Sequence, residues 1–366
     1  MRERTLIVWC LLGKKAGDNT QVLALAQELG WSFQEKRIEA RSWELLVHIG
    51  PGITLAGIDL QASSALQPPW PDLVITAGRR NEPVARWIHR QSAGKTRLVH
   101  VGRPWAALGV WDLIVTTGQY FLPIRENIVH NALPLHRHAE GALERAAQAL
   151  RPQLTSLPRP WIAVLVGGDS GKFVFSAGKG ARMGELVNQL AATAGGSLLI
   201  SDSPRTPAAV MDALEAQLTE PNICYRCSSG ADNPYTGILA LADAFVVTGE
   251  SMSMLSEAAG TGKPLFIYDL CDTDSPWWLL PHSYGYKPLS HRVAMLLGPR
   301  RMRRDISKIQ DELVQAGQAN WLAPDDVSQG NKLVYGETLT PGSAGSASVC
   351  AADLQRAAVA VSRLFS

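Results

Sequence analysis

The run Phe245-Val-Val-Thr-Gly-Glu-Ser-Met-Ser-Met-Leu-Ser-Glu-Ala-Ala-Gly-Thr-Gly-Lys-Pro-Leu-Phe-Ile-Tyr268 reads as strand, tight turn, helix and strand. Ala244 to Val247 is a continuous apolar segment, the pattern of a strand buried on both faces. Thr248-Gly249 lets the chain turn sharply, and Ser251 or Ser253 can cap a helix. Gly260 and Gly262 close that helix, and Pro264 opens a second buried strand, Leu265 to Tyr268. One βαβ unit results. Its turn, Glu250-Ser251-Met252-Ser253, offers backbone N–H groups and a helix's positive end at the carboxyl edge of a parallel sheet, where anionic ligands bind. Glu257 follows within about two turns of the helix start. A carboxylate there can accept hydroxyl hydrogen bonds from a ribose beside a bound phosphate. A solvated glutamate on an ordinary βαβ unit fits the same residues.

Upstream, Arg151 to Pro160 carries three prolines and reads as an interdomain linker. It is followed by a strand, Trp161 to Val166, and a glycine turn, Gly167-Gly168-Asp169-Ser170-Gly171. Such a turn can cradle phosphate through backbone N–H groups, with Lys172 adding charge. The spacing is not that of a P-loop, which argues against an ATPase. Ser201-Asp-Ser-Pro-Arg-Thr-Pro207 places Arg205 and Thr206 just ahead of a helix; Arg205 reads either as a bidentate partner for a diphosphate or as a surface residue.

The first half repeats the rhythm. Thr5 to Leu12 is an apolar strand, and a helix with Val22, Leu23, Leu25, Ala26 and Leu29 at helical spacing follows from Asp18 to Gly30. Strands at Trp31 to Ile38, Pro71 to Gly78, Arg97 to Val101 and Trp111 to Thr116 and helices at Glu82 to Gln91 and Glu140 to Leu150 complete it. Alternating strands and helices predict a doubly wound, mainly parallel α/β sheet in each half. The expected division is 1–150, linker 151–160, 161–348, and a C-terminal helix in 349–366 that can cross back to the first domain.

With 366 residues, 46% hydrophobic and 19% charged, the chain has the composition of a two-domain globular protein. A net charge of +2 argues against nucleic acid as a general partner. The five cysteines are odd in number and scattered, which fits reduced thiols in a cytoplasm. Eleven tryptophans is a high count, and several, Trp70, Trp105 and Trp161 among them, suit a core, a membrane-contacting or an acceptor-contacting place. No apolar run is long enough to span a bilayer, so membrane contact is expected to be peripheral, on the cytoplasmic face.

The Gly, Ser, Glu and closing Gly-x-Pro of the opening run resemble the donor-sugar motif of GT-B glycosyltransferases, notably peptidoglycan N-acetylglucosaminyltransferase. Matching positions here are Ser251, Met252, Ser253 and Glu257. The order of Gly13-x-x-x-Gly17-x-Asn19-x-Gln21, Ser203-Pro-Arg-Thr-Pro207, Asn233-Pro-Tyr235 and Thr248-Gly-Glu-Ser-Met-Ser-Met254 is similar to that of the plant mitochondrial fission factors and their bacterial relatives. That resemblance implies two Rossmann-like domains facing a cleft. Ala16-Gly17-Asp18 resembles a turn of lipid A disaccharide synthase, another GT-B enzyme, with Lys14 where that turn has Glu.

The expected function is transfer of a sugar from a nucleotide-diphospho-sugar donor to a cell-envelope or lipid-linked acceptor, without metal or cofactor. Donor contacts would come from Gly167, Gly168, Ser170, Gly171, Arg205, Thr206, Glu250, Ser251, Met252, Ser253 and Glu257. On the acceptor side stand Gly13, Gly17, Asn19, Gln21, Arg79 and Arg103. Asp18 reads as the general base or as a helix N-cap, with His100 and His130 as reserve bases. A GT-B-fold nucleotide-sugar 2-epimerase and a non-catalytic scaffold recruiting a partner to a membrane are the alternative functions. Asp272-Thr-Asp274 has the spacing of a metal pair but lies in an irregular stretch.

Overall fold

The computed structural model describes residues 5–48, 52–137, 141–170, 173–229, 233–271, 297, 303–327 and 346–366. The chain folds as two compact units, one formed by Met1–Arg137, Pro299–Arg303 and Cys350–Ser366, the other by His138–Gly298 and Arg304–Val349.

The first unit contains β1 (Val8–Leu12), α1 (Ala16–Leu29), β2 (Phe33–Arg37), β3 (Leu73–Ala77), α2 (Glu82–Gln91), β4 (Arg97–Val101), β5 (Leu113–Thr117) and β6 (Ile128–Asn131). The strands form one parallel sheet in the order β2-β1-β3-β4-β5-β6. All five residues of β1 are buried, because the period-two alternation of a strand sends them to two covered faces. Val8, Cys10 and Leu12 pack with Val22 and Leu25 of α1 and with Leu354, Ala357 and Val361 of the C-terminal helix, Ser346–Ser362. Trp9 and Leu11 pack on the other face with Val84 and Ile88 of α2. Each fully buried side chain of this size contributes about 1.5–3 kcal/mol. Trp70 meets the rings of Trp9 and Trp87 edge-on, at 6.1 and 5.7 Å, so it is a packing residue.

The second unit contains α3 (Ala142–Leu154), β7 (Trp161–Leu165), α4 (Ala177–Ala194), β8 (Ser197–Ser201), α5 (Ala208–Glu215), β9 (Asn222–Tyr225), α6 (Tyr235–Leu241), β10 (Ala244–Thr248), α7 (Met252–Ala259), β11 (Leu265–Tyr268) and β12 (Asn320–Trp321). Its parallel sheet has the order β12-β11-β10-β7-β8-β9. Both sheets are doubly wound. The chain steps one way from β1 and from β7, then crosses to the other side at β3 and at β10. The loops after β1 and β3, and those after β7 and β10, therefore flank a topological switch point at the carboxyl edge of each sheet, where ligands bind in open α/β sheets.

Three expectations need correction. The helix α3 was expected to complete the first half. Instead it belongs to the second unit and packs against α6: a Cβ on Gly237 would lie 2.8 Å from the Ala146 carbonyl oxygen. The units accordingly divide ahead of α3, and Arg151 to Leu154, expected as linker, are its last residues. Asp18 is not an N-cap, because α1 begins at Ala16 with Lys15 before it, which puts Asp18 inside the first turn. Among the described residues, no helix is long and apolar enough to cross a membrane.

Candidate functional site

At the second sheet's switch point the turn after β7 is pulled tightly against the turn after β10. The Gly167 N–H donates to Thr248 Oγ1 (2.8 Å) and the Gly168 N–H to Glu250 Oε1 (2.8 Å). Ser170 exchanges both backbone hydrogen bonds with Phe173, and Asp169 Oδ1 accepts from the Phe175 N–H at 2.8 Å. A Cβ on Gly167 would overlap Glu250 Oε1, and one on Gly168 would overlap the Arg205 carbonyl. The glycines thus serve close approach of chain to chain. This corrects the expected phosphate cradle: the N–H groups of Gly167, Gly168 and Ser170 are already engaged within the protein. Gly171 and Lys172 lie outside the described residues, as do Asp272 and Asp274.

Thr206 is likewise an internal latch. Its hydroxyl lies 3.0 Å from the Val166 carbonyl oxygen and 2.6 Å from that of Gly167, and it accepts from the Ser203 N–H at 3.0 Å. Arg205 donates from Nη1 to the Asp169 carbonyl (3.1 Å) and places Nη2 4.0 Å from Glu250 Oε1, with 43% of its side chain exposed. Glu250 is fully enclosed; Oε2 has no partner among the described residues, and burial pushes its pKa above the usual carboxylate range.

The donors left at this edge belong to α7. The first hydrogen bond of that helix runs from the Leu255 N–H to the Ser251 carbonyl, so the N–H groups of Met252, Ser253 and Met254 have no partner within the helix. Ser251 precedes the helix without capping it through its side chain. Gln310 fastens the turn, donating from Nε2 to the Gly249 carbonyl at 2.6 Å. Further along α7, Glu257 Oε2 accepts from the Tyr235 hydroxyl at 2.6 Å. Burial raises the Glu257 pKa, and the Tyr235 hydrogen bond opposes that rise.

At the first sheet's switch point the loop after β1 is tied by neutral amides. The Gly13 N–H donates to Asn19 Oδ1 (2.9 Å), Asn19 Nδ2 donates back to the Gly13 carbonyl (2.7 Å), and Asn81 Nδ2 donates to the Leu11 carbonyl (3.1 Å). Asn19 is therefore a turn brace. Gln21 donates to the Gly17 carbonyl within α1 at 3.2 Å. Asp18 sits above Gly78: a Cβ there would come within 2.8 Å of Asp18 Oδ2, and Gly78 has φ +73°. The Arg79 guanidinium lies 4.5 Å from the centre of the Trp105 ring, and Arg103 lies 5.4 Å from that of Tyr120. Arg103 also donates to the Arg303 carbonyl at 3.0 Å.

The reserve bases are placed differently. His100 is 0% exposed in β4, edge-on to Trp111 with ring centres 4.7 Å apart. Neither ring nitrogen has a hydrogen-bond partner among the described residues, and burial pushes its pKa down to about 3. It is a core histidine and cannot meet a substrate. Its neighbour Glu82, 3.7 Å away, accepts the Trp105 and Ala106 N–H groups and is raised by burial to about 7. His130 lies on β6, the edge strand remote from the switch point, near the Pro123 carbonyl (3.3 Å). Sequence reading missed Gln310 and Asn81, whose partners are distant in the chain. It quoted Tyr235 without giving it a role.

Two parallel doubly wound units with these switch points define a GT-B-like protein. The whole chain superposes with a TM-score of 0.52 on the UDP-GlcNAc 2-epimerase of Methanocaldococcus jannaschii, with 9% identity over 98% of this chain and 99% of that one. It superposes equally, at 0.52 and 11% identity over 98% and 99%, on the glycotransferase of kitacinnamycin. These likenesses concern the fold. Residues 16–277 match the model of the family described as mitochondrial fission ELM1, and the chain belongs to that family. It is 27% identical to the mitochondrial fission protein ELM1 of Arabidopsis thaliana over 54% of this chain, a match spanning about half, 51%, of that protein's length. It is 25% identical to an uncharacterised protein of Rickettsia prowazekii over 71% of this chain and 82% of that one.

Proposed function

We propose that the chain is a glycosyltransferase that binds a nucleotide-diphospho-sugar at the carboxyl edge of its second sheet and transfers the sugar to a hydroxyl of an envelope or lipid-linked acceptor. The observation that carries this reading is the arrangement of α7: three N–H groups at its start, and Glu257 about 7–8 Å further along the axis. The helix start would hold the diphosphate and Glu257 would accept the ribose hydroxyls. Arg205, still largely accessible, would add a bidentate cation.

In the transfer, the acceptor hydroxyl loses its proton to Asp18 while its oxygen forms a bond to the anomeric carbon. The bond from that carbon to the diphosphate oxygen breaks, and the electron pair leaves with the nucleoside diphosphate, stabilised by the α7 N–H groups and Arg205. Asp18 suits the part because its carboxylate makes no hydrogen bond among the described residues, so its lone pairs are not committed. The reaction so written needs no metal or cofactor, and contact with a membrane would be peripheral, at the cytoplasmic face where such acceptors are built.

Calorimetric titration with UDP, GDP and ADP tests the donor site; saturable binding of one of them is expected, and no binding of any would overturn the reading. Incubating the protein with the matching nucleotide-sugars then separates chemistries by mass spectrometry and NMR. Release of nucleoside diphosphate supports transfer, whereas an epimeric nucleotide-sugar of unchanged mass identifies an epimerase.

A further inference from the structure

Tyr235 opens α6 and is held at both ends. Its backbone N–H donates to Asn233 Oδ1 (3.0 Å), which also accepts from the hydroxyl of Ser201, the last residue of β8 (3.2 Å). Its phenol oxygen donates to Glu257 Oε2 at 2.6 Å. Ser201, Asn233, Tyr235 and Glu257 thus form a hydrogen-bonded chain from the carboxyl end of one strand to a side chain on α7, two strands away across the sheet. The phenol is partly buried and its pKa is raised well above the ordinary value, first by desolvation and then by the facing Glu257 charge, so it remains a donor. Toward a carboxylate, which only accepts, the phenol must donate; it engages Oε2 and leaves Oε1 uncommitted among the described residues.

From this geometry we infer that Tyr235 is a positioning residue for ribose recognition: it locks Glu257 so that one carboxylate oxygen faces the 2′- and 3′-hydroxyls of the bound nucleotide, making the site selective for ribonucleotides. The inference rests on the donor site proposed above. Glu257 is half-buried, and an unpartnered glutamate there could still turn about its terminal bonds; holding one orientation removes an ordering cost that binding would otherwise bear. Tyr235 touches neither phosphate nor base in this scheme. Its removal should therefore be felt through the ribose hydroxyls alone.

The test measures affinities of UDP, GDP and ADP and their 2′,3′-dideoxy counterparts for the parent protein, Tyr235→Phe, Glu257→Gln and the double variant. The parent is expected to favour the ribonucleotide about tenfold or more, the scale of hydrogen bonds to a charged acceptor. Tyr235→Phe keeps the ring and is expected to lower that preference about three- to tenfold while leaving dideoxynucleotide affinity unchanged; in the Glu257→Gln background it should have no further effect. An equal loss for both nucleotides, or an unchanged preference, overturns the inference while leaving the donor site standing. Absence of nucleotide binding by the parent overturns both. Should Tyr235→Phe fold poorly, Asn233→Ala, which frees the Tyr235 backbone, is expected to lower the same preference by a smaller factor; an unchanged preference there overturns the inference.

Discussion

The two sheet edges solve one topological problem with opposite electrostatics. At both, the loop following the first strand must be held against the loop that follows the strand across the switch point. In the first unit Asn81 does this with an uncharged amide while Asn19 braces the loop after β1 from within, and the nearby carboxylate, Asp18, is left over. In the second unit a hydroxyl and an enclosed carboxylate, Thr248 and Glu250, do it, and what is left over is the start of α7 with its N–H groups. One edge is left with a carboxylate, the other with the N–H groups of a helix start. A shared fold thus leaves chemistry to whichever groups are not consumed in closing the turns.

The sharpest way to break this contrast is to neutralise the first edge. Asp18→Asn is expected to lower kcat and kcat/KM together by about 10²- to 10⁴-fold in a donor hydrolysis or transfer assay. Donor affinity should hold, and so should the melting temperature, apart from the few tenths of a kcal/mol that a first-turn carboxylate gives a helix. Transfer at the parent rate would reduce Asp18 to a helix residue. At the second edge, Glu257→Gln should weaken nucleoside diphosphate binding by about 1–3 kcal/mol in calorimetry.

The glycines test how tightly each turn is closed. Gly168→Ala drives a Cβ into the Arg205 carbonyl and is expected to cost about 1–3 kcal/mol of stability, read as a lowered melting temperature. At Gly13 the added atom would meet only the Asn81 side chain, at 3.3 Å, so Gly13→Ala should cost well under about 1 kcal/mol. Equal costs would remove the distinction between a turn closed on backbone and one closed on an adjustable amide.

Glu250→Gln converts the second clamp to the amide chemistry of the first, and its effect is expected to be the smallest. Burial raises the Glu250 pKa, so the folded state keeps a proton that the unfolded chain releases. That contribution is complete below the ordinary carboxylate range and is lost as pH rises through the raised value. Gln cannot titrate, so the variant should match the parent in acid and gain on it as pH increases, a trend that denaturation at several pH values will show. A parent whose relative stability improves with pH would mean that Glu250 is held as a stabilised carboxylate.

Much of this architecture was legible in the residues. Val-Trp-Cys-Leu-Leu in β1 and Trp-Ile-Ala-Val-Leu in β7 are continuous apolar runs that only a sheet covered on both faces can bury. β6 and β12 were not legible: Ile128–Asn131 and Asn320–Trp321 are short edge segments containing polar residues, and their pairing comes from neighbours already in place. The site was only half legible. The turn at Gly167 looks from its sequence like an open cradle, because Thr248 and Glu250, which occupy its N–H groups, lie some 80 residues away. Asp18 looked like a cap because Asp favours that position, whereas α1 extends back to Ala16 with Lys15 ahead of it.

The C-terminal helix sets an order of events in synthesis. Leu354, Ala357 and Val361 are part of the first unit's core, where they cover the same sheet face as Val8, Cys10 and Leu12. While the chain is emerging from the ribosome, the second unit's sheet can pair as soon as β12 is exposed. The first unit, although synthesised earlier, keeps one face of its sheet partly uncovered until Leu354 to Val361 have emerged as well. Its earliest strands must therefore wait through translation of the whole second unit with apolar surface in water, which makes the amino-terminal half the one that a holding chaperone would bind.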